Sequence, residues 1–277
     1  MSDVNEFERW AEIAQEIAAE AGALLRQRYG TPHTIRQKGF RDIVTDVDLE
    51  VEALIVTRLR AALPQHAIIT EEGEGDAAMA QAPVYWLIDP IDGTTNFSRH
   101  NPNFSISMAA MAAIAGKEDK RPVVGVIMEP LRDYCFTAYH GGGARLNGAP
   151  VRTSATTTLE RAVFGSDIPR DSACREQHLA LLNGLLVRAR TVRVLGSAAL
   201  GMAYVAAGWF DGYIHRHLHP WDQAAAALLV AEAGGVLATC SGAPWTVAAP
   251  DPLMAATPDL LAQIRAAQVE IEEGADV

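Results

Sequence analysis

The 277-residue sequence predicts a layered α/β fold, with an α+β N-terminal half and an α/β C-terminal half. Hydrophobic residues make up 49% of the chain, which is enough for a substantial core. Helical and strand patterns alternate along it, with no internal repeat or low-complexity segment. The length fits one large domain or two closely packed ones. We expect a seam near residues 145–150, between 1–147 and 148–277, with neither half folding well alone.

In the N-terminal half, apolar residues at helical spacing predict two helices. The first covers residues 10–25, with Gly30 at its cap, and the second covers about residues 49–63. Residues 31–41 between them are polar and aperiodic, which predicts a mobile loop. The strands predicted after the second helix are residues 66–70, 84–88, 104–111, 123–128 and 134–139, followed by a turn at 141–143.

The C-terminal half alternates more regularly between strands and helices, which indicates an α/β layer. Its predicted strands are residues 191–195, 210–215 and 236–239. Its predicted helices are residues 197–207, 222–233 and 258–267. The alanine run at 224–227 predicts close packing of a helix against its neighbours.

The composition disfavours several functional classes. A net charge of −11 argues against a nucleic-acid partner, since phosphate neutralisation needs clustered Lys and Arg. The most apolar stretches, residues 106–115 and 224–238, are shorter than the ~20 residues of a membrane span, so no membrane partner is expected. The acidic first residues predict no export signal. The 3 cysteines, Cys135, Cys174 and Cys240, are far apart and odd in number, as in a cytoplasmic protein with reduced thiols.

Residues 86–95 bring carboxylates to the end of a predicted strand, in the order Trp-Leu-Ile-Asp-Pro-Ile-Asp-Gly-Thr-Thr. The proline after Asp89 disfavours helical geometry there, and the following turn can bring Asp92 back alongside Asp89. Two carboxylates this close repel each other unless a cation lies between them. Alone, however, an Asp-x-x-Asp pattern more often consists of ordinary turn and capping residues.

The turn after these aspartates also suits a phosphate. Gly93 permits a tight turn, and Thr94 or Thr95 is a suitable N-cap for a following helix. Free backbone N–H groups at such a helix start can hold a phosphate group.

Two further acidic segments support a cation site. Glu71 follows the predicted strand 66–70, and strands ending at the same edge would place it beside Asp89, whereas Glu72 and Glu74 fit a solvated loop. Asp222 begins the alanine-rich helix, where an N-cap and a ligand fit equally well.

A third segment, residues 42–48, runs into the second helix. Either Asp46 or Asp48 could cap that helix, which leaves the other free to bind a water molecule. These acidic positions are therefore candidates for both structure and chemistry.

Together these motifs resemble those of the inositol monophosphatase family. They are Asp89-Pro90-Ile91-Asp92-Gly93-Thr94, the preceding Glu71-Glu72, Thr45-x-x-Asp48, and Trp221-Asp222 followed by Ala231-Glu232-Ala233-Gly234-Gly235. They occur in the family's order and spacing over roughly residues 35–240, and the Asp-Pro-Ile-Asp-Gly-Thr string is highly specific. The resemblance implies a layered αβαβα sandwich and Mg²⁺-dependent hydrolysis of a small phosphomonoester to an alcohol and inorganic phosphate.

The resemblance implies two to three Mg²⁺ ions in the site. Glu71, Asp89 and the carbonyl of Ile91 would hold one ion. Asp89, Asp92 and Asp222 would hold a second, and Glu71 with water ligands would hold a third, weaker one. All-oxygen ligands of this kind suit hard Mg²⁺.

The resemblance also implies the catalytic and substrate-binding residues. Thr94 and Asp48 would orient and deprotonate the attacking water, with Glu71 as the third catalytic residue. The implied substrate contacts are Lys38 from the predicted loop, Asp92, Gly93, Thr94, Thr95, Ser197, Ala198 and His215. Homodimers and inhibition by lithium are common in the family.

One departure from the family concerns substrate choice. Inositol-processing members typically carry a Glu seven residues before the Trp-Asp aspartate, and counting back from Asp222 gives His215. An ionised Glu accepts protons from two hydroxyls, whereas a neutral imidazole offers one donor and one acceptor. We therefore expect broad or non-inositol specificity, unless another group replaces the Glu.

Alternatives remain at this stage. The substrate could be histidinol phosphate, fructose 1,6-bisphosphate or a 3′-phosphoadenosine nucleotide, as in related phosphatases. The chain could also be an inactive relative that binds or regulates, although the complete set of carboxylates argues against that. If extended, His215, His217 and His219 would share one face and suggest zinc, but pocket-lining or surface histidines are the better interpretation.

Overall fold

The computed structural model describes residues 2–73, 81–114 and 119–274; Glu74 lies outside these ranges. The helices in the described residues are α1 Ser2–Arg28, α2 Asp46–Ala62, α3 Thr94–Ser98, α4 Ser172–Leu186, α5 Ala198–Ala206, α6 Pro220–Glu232 and α7 Pro258–Gly274. The strands are β1 Ile35–Gly39, β2 Asp42–Thr45, β3 Ala67–Thr70, β4 Val84–Asp92, β5 Ser105–Ala113, β6 Lys120–Glu129, β7 Tyr134–Tyr139, β8 Gly143–Leu146, β9 Ala149–Pro150, β10 Val163–Ser166, β11 Thr191–Val194, β12 Gly212–Ile214, β13 Val236–Thr239 and β14 Pro252–Ala255.

The strands form one hairpin, β1–β2, and two larger sheets. The first sheet has seven strands in sequence order from β3 to β9, with β3 and β4 parallel and the later neighbours antiparallel. The second has five strands in the order β11-β10-β12-β14-β13. The first sheet ends at Pro150 and the second begins at Val163. The division of the chain into residues 1–147 and 148–277 stays a prediction.

Alternation along the strands divides the core into layers. Trp86 and Ile88 of β4 pack with α1 and α2, whereas Tyr85 and Leu87 face the opposite side, with α5 and α6. The far face of the second sheet packs against α4 and α7. The layers therefore run α1/α2, first sheet, α5/α6, second sheet, α4/α7, which is the αβαβα sandwich that the family resemblance implies.

The alanine run of α6 permits a close contact between this helix and the first sheet. Ala224, Ala225, Ala226 and Ala227 are all buried. A Cβ added at Gly125 of β6 would lie 2.6 Å from the carbonyl oxygen of Ala225. The predicted role of the run in close packing is confirmed.

The prediction of an irregular loop over residues 31–41 is wrong in part. Ile35–Gly39 is strand β1, and it pairs with Asp42–Thr45, for example Arg36 with Val44. Every residue of β1 is exposed, so this strand leaves no alternating apolar pattern in the sequence.

The elements missed by the sequence analysis are mostly in the second half. They include β10, α4 and β14. Strand β10 contains Gly165, whose added Cβ would lie 2.7 Å from the ring of Phe210, and β14 begins with Pro252. Such short strands with glycine or proline give a weak strand signal. Helix α4 buries His178 and Gly184 alongside its leucines, which blurs its apolar stripe.

Two further observations concern the chain as a whole. Within the described residues, no helix is long and apolar enough to cross a membrane. No disulfide joins Cys135, Cys174 and Cys240.

Candidate active site

Glu71 and Asp89 lie side by side at the ends of two parallel strands. In the β3–β4 pair Thr70 lies opposite Ile88, and the amide of Glu71 donates to the carbonyl of Ile88 at 3.0 Å. The two acidic residues therefore follow in register, as predicted. Burial raises the pKa of the Asp89 carboxyl, and the charges of Glu71, Asp92 and Asp222 raise it further.

A β-bulge in β4 brings Asp92 to the same side as Asp89. Asp89 pairs with Ser107 of β5 and Asp92 pairs with Ser105, so one strand advances three residues while the other advances two. Ser105 and Ser107 share one face of the sheet, and the extra residue lets the two aspartates do the same. The amide of Ile91 donates to Oδ1 of Asp89 at 3.0 Å. The predicted return of Asp92 is thus achieved within a strand rather than in a turn.

Asp92 ties the first sheet to helix α5. Its Oδ2 accepts hydrogen bonds from the hydroxyl of Ser197 at 2.6 Å and from the amide of Ala199 at 2.8 Å, and its Oδ1 accepts from the amide of Ala198 at 3.2 Å. Burial raises the pKa of Asp92, and these hydrogen bonds act against the rise. Ser197 and Ala198, predicted as substrate contacts, are thereby positioned beside Asp92.

Asp222 reaches the site from the start of α6. The N-cap of this helix is His219, not Asp222 as one reading of the sequence allowed. Asp222 lies in the first turn, where its Oδ2 accepts from the amide of His219 at 2.7 Å. Burial and the charges of Asp92 and Glu71 raise the pKa of Asp222. Asp222 therefore completes a group of mutually repelling carboxyls, of which Asp89 and Asp92 are buried.

Asp48 is a buried carboxylate that connects α2 to α3. Thr45, and neither Asp46 nor Asp48, is the N-cap of α2. Oδ2 of Asp48 accepts from the amide of Thr45 at 2.8 Å and its hydroxyl at 2.5 Å, and Oδ1 accepts from the hydroxyl of Thr94 at 3.0 Å. Burial raises the pKa of Asp48 to about 6, and the hydrogen bonds from Thr45 and Thr94 limit the rise. The predicted Thr94–Asp48 pair is therefore in contact.

Helix α3 starts against the second half of the chain. Its N-cap is Gly93, with φ 104°, and not Thr94 or Thr95. A Cβ at Gly93 would lie 2.9 Å from the carbonyl oxygen of Gly196, so both the backbone angle and the space favour glycine. The first intrahelical donor is the amide of Phe97, which binds the carbonyl of Gly93 at 3.0 Å. The amides of the first turn thus have no partner within the helix.

Lys38 extends from β1 to the carboxylates after β3. Its Nζ lies 3.2 Å from Oε1 of Glu71 and 2.9 Å from Oε1 of Glu72. Burial lowers the pKa of Lys38, but the charges of both glutamates outweigh it and the pKa is raised. The Glu72 side chain is 4% exposed, so its assignment to a solvated loop is wrong. Burial raises the pKa of Glu72 to about 7.

Several of the residues described above line a cleft of about 690 Å³. The predicted site residues that line it are Glu71, Asp89, Ile91, Asp92, Gly93, Thr95, Ala198, His215 and Asp222. Thr94 and Ser197 are buried next to lining residues. The Ser197 hydroxyl donates to Asp92, and the Thr94 hydroxyl lies 3.1 Å from the carbonyl of Ile91, which is the alternative to Asp48 as acceptor of its one proton. The structure therefore brings together groups from both halves of the chain.

His215 lines the cleft and is 5% exposed. Its ring centroid lies 5.4 Å from that of His178. Burial lowers the pKa of His215 to about 3, so the ring is neutral near pH 7. The strand ends at Ile214, and His217 adopts a left-handed φ of 70°, so the extended arrangement considered for a zinc site does not form.

The sequence analysis missed the wall of the cleft between β10 and α4. Asp167 lines the cleft, and its carboxylate accepts from the amide of Gly196 and the hydroxyl of Tyr213, the latter at 2.9 Å. Burial raises the pKa of Asp167 to about 7. Arg170 also lines the cleft and pairs with Asp42 of β2. An acidic residue directly after a strand, as at Asp89, was the signal that could have revealed Asp167.

The donor set of the cleft suits a hard cation in its chemistry. Within the ranges described, no three acidic, His or Cys side chains already form a metal-binding cluster. Protein donors instead hold the carboxylates, among them Lys38 on Glu71 and the amide of His219 on Asp222. However, burial raises the pKa of both Asp89 and Asp222, and the negative charges of Glu71 and Asp92 raise both further in spite of these donors. Carboxylate and carbonyl oxygens are the ligands that Mg²⁺ prefers, and its charge would offset the repulsion among the carboxylates.

The family model described as the inositol monophosphatase family matches residues 6–273. The chain belongs to this family. The family resemblance read from the sequence motifs is thereby confirmed.

Curated relatives in the inositol monophosphatase family carry two kinds of name. The Escherichia coli K12 protein "Nus factor SuhB" is 40% identical over 233 residues, which cover 83% of this chain and 85% of the relative. The Bacillus subtilis "Inositol-1-monophosphatase" is 36% identical over 250 residues, which cover 90% of this chain and 92% of the relative. The matches therefore extend over most of both proteins.

Solved structures of family members share the fold. The Bartonella henselae suhB structure has a TM-score of 0.85 at 30% identity, and covers 93% of this chain and 97% of its own. The Thermotoga maritima IMPase has a TM-score of 0.84 at 31% identity, and covers 95% of this chain and 98% of its own. The αβαβα architecture is thus that of inositol monophosphatases.

Proposed function

We propose that the protein hydrolyses small phosphomonoesters to an alcohol and inorganic phosphate in a Mg²⁺-dependent reaction. The observation that carries this proposal is the contact between Thr94 and Asp48 next to a group of mutually repelling carboxyls. A proton acceptor and an excess of negative oxygen ligands at one cleft are the two requirements for hydrolysis by an activated water.

The ligands that we assign to Mg²⁺ are Glu71, Asp89, the carbonyl of Ile91, Asp92 and Asp222. When bound, the ions would stabilise negative charge on the phosphoryl group and lower the pKa of water. Two of these residues are held in position by hydrogen bonds, Asp92 to α5 and Asp222 to the start of its own helix. Lys38 would have to leave Glu71 when an ion binds there.

The chain's own proton path starts at Thr94. With its hydroxyl proton directed at Oδ1 of Asp48, the Thr94 oxygen can accept a hydrogen from a water molecule in the cleft. Asp48 can take up the proton of the Thr94 hydroxyl, because that hydroxyl already donates to its Oδ1 while Thr45 fixes its Oδ2. The first-turn amides of α3, after Gly93, would hold the phosphate oxygens. Thr94 and Asp48 thus position the water and accept its proton.

The alcohol part of the substrate would lie against Ala198 and His215, which line the cleft beyond Asp92. A neutral His215 matches a pair of vicinal hydroxyls less well than a carboxylate does. We therefore infer broad specificity, in which inositol 1-phosphate is a usable but not preferred substrate. Inhibition by Li⁺, a homodimeric assembly and a cytoplasmic location belong to the same proposal.

The test is release of inorganic phosphate from a panel of small phosphomonoesters by the full chain, with Mg²⁺ and with excess chelator. We expect turnover with Mg²⁺, loss on chelation and recovery when Mg²⁺ is restored. A folded protein that releases phosphate from no compound at saturating Mg²⁺ would instead support an inactive family member with a binding or regulatory role. Equal turnover with and without chelator would refute the metal dependence.

A further inference from the structure

The cleft is lined by arginines as well as carboxylates. The arginines are Arg41 at the tip of the β1–β2 hairpin, and Arg170 and Arg175 from the segment that leads into α4, with Asp42 and Asp171 next to them. An arginine in the cleft is a candidate for binding negative charge on a substrate.

Two of these arginines are engaged within the protein. Nε and Nη2 of Arg175 both donate to the carbonyl of Pro169, at 2.9 and 2.5 Å. The guanidinium of Arg41 lies over the ring of Phe40, 4.6 Å from its centroid. The neighbouring carboxylate of Asp171 caps α4 through the amide of Ala173 at 2.7 Å. Arg175 thus fixes the backbone directly before Arg170.

Arg170 is anchored by one ion pair, and its guanidinium retains capacity for further hydrogen bonds. It donates through Nη1 to Oδ1 of Asp42, and its side chain is 49% exposed. A guanidinium has five N–H donors in a planar fork, which suits a bidentate contact with a carboxylate or phosphate. The contact with Asp42 in the hairpin therefore uses only some of the N–H donors of Arg170.

Arg170 lines the same cleft as the carboxylates of Glu71, Asp89 and Asp222. Burial lowers its pKa, but the charge of Asp42 and then those of Glu71, Asp222 and Asp89 outweigh burial and raise it. Cations bound to those carboxylates would cancel this attraction. A phosphate ester held there would then place the rest of its alcohol in the roughly 690 Å³ cleft, within reach of a positive group.

We propose that Arg170 binds a second anionic group, a carboxylate or a phosphate, on the alcohol part of the substrate. This inference rests on the proposed phosphatase activity and narrows its substrate class to phosphomonoesters with two anionic groups. Arg170 is then a specificity-determining residue that the sequence motifs do not contain.

Two pairs of substrates isolate the second anion, each measured as kcat/KM at saturating Mg²⁺. In 2-phosphoglycerate a carboxylate stands where glycerol 2-phosphate has a hydroxymethyl group, and fructose 1,6-bisphosphate differs from fructose 1-phosphate by one phosphate. We expect the wild type to prefer the doubly anionic member of at least one pair. The pair that shows the preference identifies the second group as carboxylate or phosphate.

Arg170→Gln should lower kcat/KM for the preferred, doubly anionic substrate by about 10-fold or more, since a charge-assisted hydrogen bond is lost. Its singly anionic partner should change far less, and its turnover also reports that the variant is folded. Arg170→Lys should retain part of the preference. The matched control is Arg188→Gln, which removes another arginine–carboxylate pair, 3.1 Å from Glu270, outside the cleft lining.

Asp42→Asn separates binding from a structural latch between the hairpin and Arg170. If Arg170 binds the substrate, Asp42→Asn keeps the preference for the doubly anionic compound. If Arg170 acts only as a latch, Asp42→Asn and Arg170→Gln should lower kcat/KM equally, and on all four compounds. Turnover without a preference in the wild type, or an equal loss for both members of a pair, would overturn this inference alone. Absence of turnover on all four compounds and on the wider panel would overturn the proposed activity as well.

Discussion

The hydroxyl of Thr94 donates to Oδ1 of Asp48 across 3.0 Å, although the two residues are 46 positions apart in the chain. The second oxygen of Asp48 is fixed by the amide and hydroxyl of Thr45 at 2.8 and 2.5 Å. Because the Thr94 hydroxyl donates to Asp48, the lone pairs of the Thr94 oxygen are available to another donor. In the proposed reaction that donor is the attacking water, which Thr94 would orient.

Removal of the Thr94 hydroxyl should therefore act on the chemical step. Thr94→Ala is expected to lower kcat by about 10²-fold or more with a much smaller rise in KM. Thr94→Ser keeps the hydroxyl and should restore most of the rate, and steady-state kinetics at saturating Mg²⁺ measure both. A change confined to KM would assign Thr94 to ground-state binding instead.

The Asp48 carboxyl should set the acidic limb of the pH–rate profile. Its pKa is raised to about 6 by burial, and the ionised form, which can accept a proton, is lost as the pH falls through that value. A bound cation favours the ionised form, so we expect the limb at or below about pH 6. Asp48→Asn should abolish most of the rate together with this limb. A full limb in the residual activity of Asp48→Asn would point to another group.

His215 should control the response to a ring of hydroxyls. His215→Glu is expected to raise kcat/KM for inositol 1-phosphate relative to glycerol 2-phosphate, because a carboxylate accepts from two hydroxyls. The comparison uses the ratio of the two substrates within each variant, so a general loss of stability cancels. A wild type that already prefers inositol 1-phosphate by a hundredfold over every other ester would defeat the expectation.

Gly125 should be required for the contact between β6 and α6. Gly125→Ala places a methyl group 2.6 Å from the backbone oxygen of Ala225, and backbone cannot move aside as a flexible side chain can. We expect a loss of about 1–3 kcal/mol in the free energy of unfolding. Gly39→Ala, where nothing lies within 4 Å, is the matched control in thermal or urea unfolding. Equal stability of the two variants would contradict the close packing.

Local signals predict the alternating elements and some of the acidic residues, and the family resemblance implies the layer order and the rest of the site. Apolar strands that end in carboxylates identify Glu71 and Asp89, and their parallel register then follows from the sheet. The β-bulge that turns Asp92 to the same face has no comparable signal, since it depends on pairing with Ser105 and Ser107. The position of Asp92 was thus predicted, but the way the chain achieves it was not.

Long-range contacts explain the rest of what the sequence does not show. Arg170 meets Asp42 across 128 positions, and Asp167 meets Tyr213 across 46. Neither contact has a periodic or motif signature. Lys38 lies on β1, whose residues are all exposed, so its strand has no hydrophobic alternation. The capping residues were also misassigned, because Asp48 and Asp222 resemble N-caps yet lie within the first turn.

The proposed function depends on Asp92 and Asp222 acting as metal ligands. The most direct measurement is kcat of Asp92→Asn and Asp222→Asn at saturating Mg²⁺. The exposed Asp133, whose side chain is 81% exposed, provides the control Asp133→Asn. We predict folded variants whose kcat falls by at least about 10²-fold, while the control stays near the wild type. Near wild-type turnover of either variant would show that its carboxylate is not a ligand.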